Sequence, residues 1–225
     1  MGTIDWSNYF DAIYCFHYSG YANRKPVIDV ELDRVGILHS GIFRYWYTAR
    51  TPLDIKIRDM MKPTYPDFYN ERAGIVMCLT LAYYMVCNAA LQAGYKKILT
   101  LEDDITFTQE LDYLKDTLDH LPEDWDYIHF DRVLNYRENK RLSTLQPEMY
   151  YDSNYTGGYW GTGCVGWSEK ALQKAVDILT NEMWPADYVL ENRDDDRLID
   201  LKRYVPVGQL AYQNNVGPAY RFIVL

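Results

Sequence analysis

Lys96-Lys97-Ile98-Leu99-Thr100-Leu101-Glu102-Asp103-Asp104-Ile105-Thr106-Phe107 is the stretch on which the fold turns. A run of strand-forming residues, 98–101, ends in three consecutive carboxylates, and a second short apolar run follows. Three like charges at the end of a buried strand repel one another, and a bound cation offsets that cost. Mg²⁺ and Mn²⁺ prefer carboxylate oxygens and often bridge one or two carboxylates to substrate phosphates. The triplet therefore reads as a metal-and-phosphate site at a strand end. A solvated acidic turn between two strands is the alternative.

Toward the N-terminus, Asp11-Ala12-Ile13-Tyr14-Cys15-Phe16-His17 reads as a first, central strand. A polar loop follows, then a helix that Pro26 starts and that runs to about Gly36. Residues 42–47 (Ile-Phe-Arg-Tyr-Trp-Tyr) predict a second strand. Strand, helix, strand in this order predicts a parallel α/β unit. A short helix is expected over 54–61 and a long apolar helix over 71–93, with Gly94 as its stop.

Downstream of the triplet, Thr108 is placed to cap a helix whose Leu111, Leu114, Leu118 and Leu121 share a face. Residues 125–130 read as a strand that leads into Asp131. Residues 135–155 are polar and irregular and are expected to form a loop. Residues 156–166 hold five glycines among aromatics, read either as a pocket lining or as a twisted strand with bulges. Ser168 is expected to cap a helix with Leu172, Val176 and Leu179 on one stripe. A turn or helix is expected to begin at 184–187, and residues 204–207 are expected to form the last short strand. Asp194-Asp195-Asp196 with Asp200 reads as a solvated acidic face. No repeat or linker appears, and one domain over 1–225 is expected, with its core at about 11–215.

Composition excludes several classes. The chain has 225 residues, 48% of them hydrophobic, enough for a substantial core. Its net charge of −9, without a Lys/Arg block, argues against nucleic acid as a partner and against a polybasic membrane patch. The four cysteines, at 15, 78, 87 and 164, show no zinc spacing and read as buried free thiols in a reducing compartment. Residues 1–8 are polar and lack the apolar region of a secretory signal. Residues 73–91 are nearly all apolar but carry Thr80, Tyr83, Tyr84 and Asn88, and read as a buried helix rather than a span, which needs about 20 strongly apolar residues. The 22 tyrosines and six tryptophans supply faces that stack on sugar rings.

Taken together, the pieces resemble glycosyltransferase family 25, the lipopolysaccharide and lipooligosaccharide biosynthesis group. The matches run in order. The first strand with Arg24 beyond it is followed by Gly74 with Cys78, then Leu101-Glu102-Asp103-Asp104-Ile105 and Pro122-Glu123-Asp124-Trp125-Asp126. Gly161-Thr162, Ser168-Glu169-Lys170-Ala171, Pro185-Ala186-Asp187, Tyr204-Val205-Pro206 and Gln213 complete the series. The family's Ser-His pair is replaced by Leu81-Ala82.

The resemblance implies a single-domain GT-A-like, Rossmann-like α/β fold with a mixed, mainly parallel sheet flanked by helices. It implies inverting transfer of a sugar, with galactose favoured, from a nucleotide-diphosphate donor such as UDP-galactose. The acceptor would be a glycan or lipid-linked oligosaccharide, and the enzyme cytoplasmic, with peripheral contact at the inner membrane face where that acceptor is lipid-linked. The cofactor would be a divalent cation, Mn²⁺ or Mg²⁺. Alternate residues of an extended segment point to one side, which assigns Glu102 and Asp104 to the metal and leaves Asp103 for the donor. Arg24 and His17 join Asp103 on the donor side. Asp187 is the first choice for the base and Asp131 the second. Tyr159 and Trp160 are candidate acceptor-stacking residues. A phosphoryl-transfer enzyme lacks support, because no Gly-x-x-x-x-Gly-Lys-Ser/Thr loop is present. A glycan-binding domain derived from a transferase is the second reading.

Overall fold

β1 (Ala12–Tyr18) pairs in parallel with β2 (Phe43–Thr48) on one side and with β3 (Lys97–Glu102) on the other. The computed structural model describes residues 4–48, 71–131, 150–152, 162–181, 186, 190, 200–206 and 210–213, with backbone only at 71–76 and 150–152. Beyond β3 the sheet continues through β7 (Cys164–Ser168), β5 (Tyr127–His129), β8 (Arg203–Pro206) and β6 (Tyr150–Asp152), in the order β2-β1-β3-β7-β5-β8-β6. β7 runs against both β3 and β5, β8 runs with β5, and β6 runs against β8. Strands β2, β1, β3, β5 and β8 thus share one direction, and the expected mixed, mainly parallel α/β sheet is observed.

Helices cover both faces. α1 (Lys25–Arg34) and α3 (Leu111–Asp119) bury Ile28, Leu32, Leu114 and Leu118 with Ile13, Cys15, Leu99 and Leu101. On the other face α2 (Glu71–Gln92) and α4 (Glu169–Asn181) bury Ala82, Tyr83, Val86, Leu172 and Leu179 with Ala12, Phe16 and Ile98. Successive residues of β1 and β3 therefore feed opposite cores, as strand alternation requires. Thr100 sits fully buried in β3 because Trp167 Nε1 donates to its hydroxyl at 2.8 Å.

The local signals act largely as expected. Gly94 ends α2 with φ +75°, a conformation that costs a residue with a side chain. Ser168 Oγ accepts from the Ala171 N–H at 3.2 Å at the start of α4. Thr108 does not cap α3: Glu110 holds that position, and Thr108 Oγ1 takes only the Glu110 N–H, at 3.4 Å. All four cysteines are buried, and none forms a disulfide.

Two strands depart from expectation. β6 lies within the segment expected to be loop, and β9 (Ala211–Gln213) follows the strand expected to be last. Each is three residues long and exists through pairing, β6 at the sheet edge on β8 and β9 on β4 (Ile105–Phe107). Among the described residues no helix is long and apolar enough to cross a membrane. The expected short helix at 54–61 and Asp194, Asp195 and Asp196 lie outside the described residues. Asp200 is exposed and pairs with Lys174 at 3.6 Å.

Candidate active site

The chain leaves β1 through α1 to reach β2, then returns through α2 to β3 on the other side of β1. The carboxyl ends of β1 and β3 thus stand at the point where successive crossovers depart in opposite directions. In open α/β sheets that crevice is where ligands bind. His17 lies next to last on β1, and Glu102 is the last residue of β3.

β3 stops at Glu102, and Asp103 and Asp104 form the turn into β4. The alternation rule used to pair Glu102 with Asp104 therefore does not extend across the triplet, because the backbone turns within it. The three carboxylates find separate surroundings. Asp103 is buried, with Oδ2 2.6 Å from His17 Nδ1 and Oδ1 2.9 Å from Arg24 Nη1. A buried carboxylate needs such partners to offset its lost hydration. Arg24 Nη1 also lies 3.2 Å from Asp104 Oδ2. Burial works against the Arg24 charge, but Asp103 and Asp104 outweigh it and hold the guanidinium above its ordinary value. The Tyr21 ring lies 4.5 Å beneath the guanidinium.

Glu102 turns the other way. Its Oε1 accepts from Thr162 Oγ1 and its Oε2 from Gln213 Nε2, each at 3.1 Å. Its backbone N–H donates to Gly163 O at 2.8 Å. Asp131, just past β5, is buried on the same side, with Oδ1 3.3 Å from His129 Nδ1. Burial pushes the Asp131 carboxyl up to about 7, with Asp104 adding to the shift, although backbone N–H groups at 163 and 164 oppose it. Gly163 has no room for a side chain. A Cβ there would collide with Asp131 Oδ2 and stand 2.8 Å from Ile105 Cδ1 and 2.9 Å from Gln213 Nε2.

Cys15 sits on β1 close to the triplet, but burial and the carboxylates of Asp103 and Asp104 push its thiol well up, so it packs rather than reacts. Of the residues singled out in the sequence, the structure brings His17, Arg24, Glu102, Asp103, Asp104 and Asp131 to one end of the sheet. Asp187, Tyr159 and Trp160 lie outside the described residues. Thr162 and Gln213 carry no role in the sequence reading; their place in the ordered motif series is the signal by which they could be found. Among the described residues no group of three or more His, Cys, Asp or Glu side chains forms a metal cage.

Three solved structures align with this chain over most of its length. A crystal structure of a glycosyltransferase involved in glycosylating the major capsid of PBCV-1 aligns over 91% of this chain and 93% of its own, at 11% identity and a TM-score of 0.48. Mouse xyloside xylosyltransferase 1 aligns over 79% and 73%, at 8% identity and a TM-score of 0.37. Mannose-1-phosphate geranyltransferase from Thermus thermophilus aligns over 88% and 74%, at 11% identity and a TM-score of 0.41. These are distant likenesses. No protein-family model matches the chain, and no curated protein does.

Proposed function

We propose that this chain is a glycosyltransferase that moves a sugar from a nucleotide-diphosphate donor to a glycan acceptor. The observation that carries the reading is the meeting of His17 and Arg24 with the carboxylate triplet at the crevice between β1 and β3. Among the described residues both Arg24 ion pairs use Nη1, and the Nε–Nη2 edge would grip a phosphate in the bidentate manner guanidinium favours. Asp103 fixes both the guanidinium and the imidazole, so neither has to be ordered when the donor arrives.

The donor set suits a divalent cation in one mode. The described residues make no cage, but Mg²⁺ and Mn²⁺ need only one or two carboxylates when substrate phosphates and waters complete the shell. Glu102 and Asp104 would supply those carboxylates. When bound, the ion would stabilise the charge that develops on the departing diphosphate. In the transfer itself the acceptor oxygen attacks the anomeric carbon, the bond from that carbon to the phosphate oxygen breaks, and the base takes the hydroxyl proton. Asp187 is the first candidate base, from its Pro-x-Asp motif. Asp131 is the second, and its raised pKa suits proton exchange near neutral pH.

In finer detail the reading is UDP-galactose as donor, a lipopolysaccharide or other surface glycan as acceptor, and a member of family 25 acting at the cytoplasmic side of the membrane. Tyr159 and Trp160 are proposed to stack on the acceptor. The order of the motifs supports these assignments. A second reading, a glycan-binding domain without turnover, draws on Leu81-Ala82, since Ala82 is fully buried in α2 where the family carries a polar pair.

A thermal-shift and hydrolysis screen against nucleotide sugars with Mn²⁺ tests the proposal. One donor should raise the melting temperature and be hydrolysed slowly, because a ligand that binds only the folded state stabilises it. Asp104→Ala should melt normally and lose metal-dependent donor binding. A wild-type protein that binds glycan and no donor establishes the second reading instead.

A further inference from the structure

Glu102 sits where three segments distant in sequence meet. Thr162 reaches it from the approach to β7, Gln213 from β9, and Gly163 takes its backbone N–H. Neither side-chain donor is a casual neighbour. Thr162 is buried, and the Tyr83 hydroxyl donates to its carbonyl at 2.5 Å. Gln213 stands opposite Ile105 in the β4–β9 pairing, one residue beyond the triplet. The bare Cα of Gly163 leaves the gap through which the Gln213 amide passes. The Glu102 main chain and both its carboxylate oxygens are therefore held in one orientation.

We infer that Thr162 and Gln213 are positioning residues that fix the Glu102 carboxylate as a ligand for a divalent cation. The inference rests on the metal-and-donor reading of the triplet given above. Neutral donors suit the task. A hydroxyl and an amide orient the carboxylate without cancelling its charge. A lysine or arginine in either place would compete with the ion instead. Hydrogen bonds of this kind, made to a ligand rather than to the metal, are worth roughly 10–100-fold in metal affinity or activity.

Mn²⁺ titration of the nucleotide-free full chain, read as free Mn²⁺ by electron paramagnetic resonance, tests this without a substrate. Thr162→Val and Gln213→Met should each weaken Mn²⁺ binding about tenfold, and Thr162→Ser should restore it. In a Glu102→Gln background neither change should weaken it further. Melting curves establish that each variant folds. If Gln213→Met does not, the Thr162→Val and Thr162→Ser pair decides the matter alone. Unchanged affinity in folded Thr162→Val overturns the inference, as do equal losses in the Val and Ser variants, effects that add to Glu102→Gln, or no Mn²⁺ binding by the wild type. Mn²⁺ binding with the expected dependence but no affinity for any nucleotide sugar sinks the transferase reading and leaves the positioning role standing. Donor turnover indifferent to Mn²⁺ does the reverse.

Discussion

Asp131 shows at the scale of one residue what burying a carboxylate costs. Its carboxyl is pushed up to about 7 by burial, against an ordinary value of 3.8. The folded protein therefore holds a proton between about pH 4 and 7 that the unfolded chain has released. The associated stability is present below pH 4 and is lost as pH rises through 7. Asp131→Asn should flatten that dependence and raise stability at pH 8 relative to the wild type, by on the order of 4 kcal/mol, in urea unfolding run from pH 5 to pH 8. If Asp131 is also the base, transfer should rise with pH through the same range and vanish in the Asn variant. Gly163→Ala tests the neighbouring space. Its Cβ would strike Asp131 and crowd Ile105 and Gln213. A loss of about 1–3 kcal/mol is expected in the same urea assay, together with weakened Mn²⁺ binding.

At the scale of elements, the two ends of the strands do different work. At the carboxyl end, α1 brackets the triplet. Arg24 at its start touches Asp103 and Asp104. From its last turns Glu31 Oε1 accepts the Phe107 N–H at 2.6 Å, and Arg34 Nη2 donates to the carbonyls of Phe107 and Thr108 at 3.1 Å. The turn and β4 are thereby fixed from both sides by one helix. At the opposite end, carboxylates act as joints between strands. Asp126 accepts from the Ser168 hydroxyl at 3.1 Å and from the Lys170 ammonium and the Lys202 N–H at 3.0 Å, which ties β5 to β7 and β8. Asp11 takes the N–H groups of Lys96 and Lys97 at the start of β3. Asp126→Ala should cost about 2 kcal/mol by urea denaturation while leaving Mn²⁺ affinity and donor binding of the folded protein unchanged. A loss of binding there would make the Trp-Asp segment part of the site.

At the scale of the whole molecule, the split between what the chain announces and what it withholds follows interaction range. Strand β1, the parallel unit it begins, α2 with its Gly94 stop and the Ser168 cap are legible because their causes are local: apolar runs, helical spacing, a glycine free to take φ +75°. The run 98–101 likewise declares a strand that ends in charge. β6 and β9 are not legible, since three residues each carry no period and the partner strand creates them. The triplet itself divides in the same way. Its composition calls for a cation at a strand end. Which donors go to which carboxylate depended on a turn at 103–104 and on residues 60 to 111 positions away in sequence. Only the folded sheet brings Thr162 and Gln213 onto Glu102, and His17 and Arg24 onto Asp103. Local propensity specifies what each segment becomes, whereas the partners of a buried charge are chosen by desolvation, and desolvation exists only once the chain has closed around it.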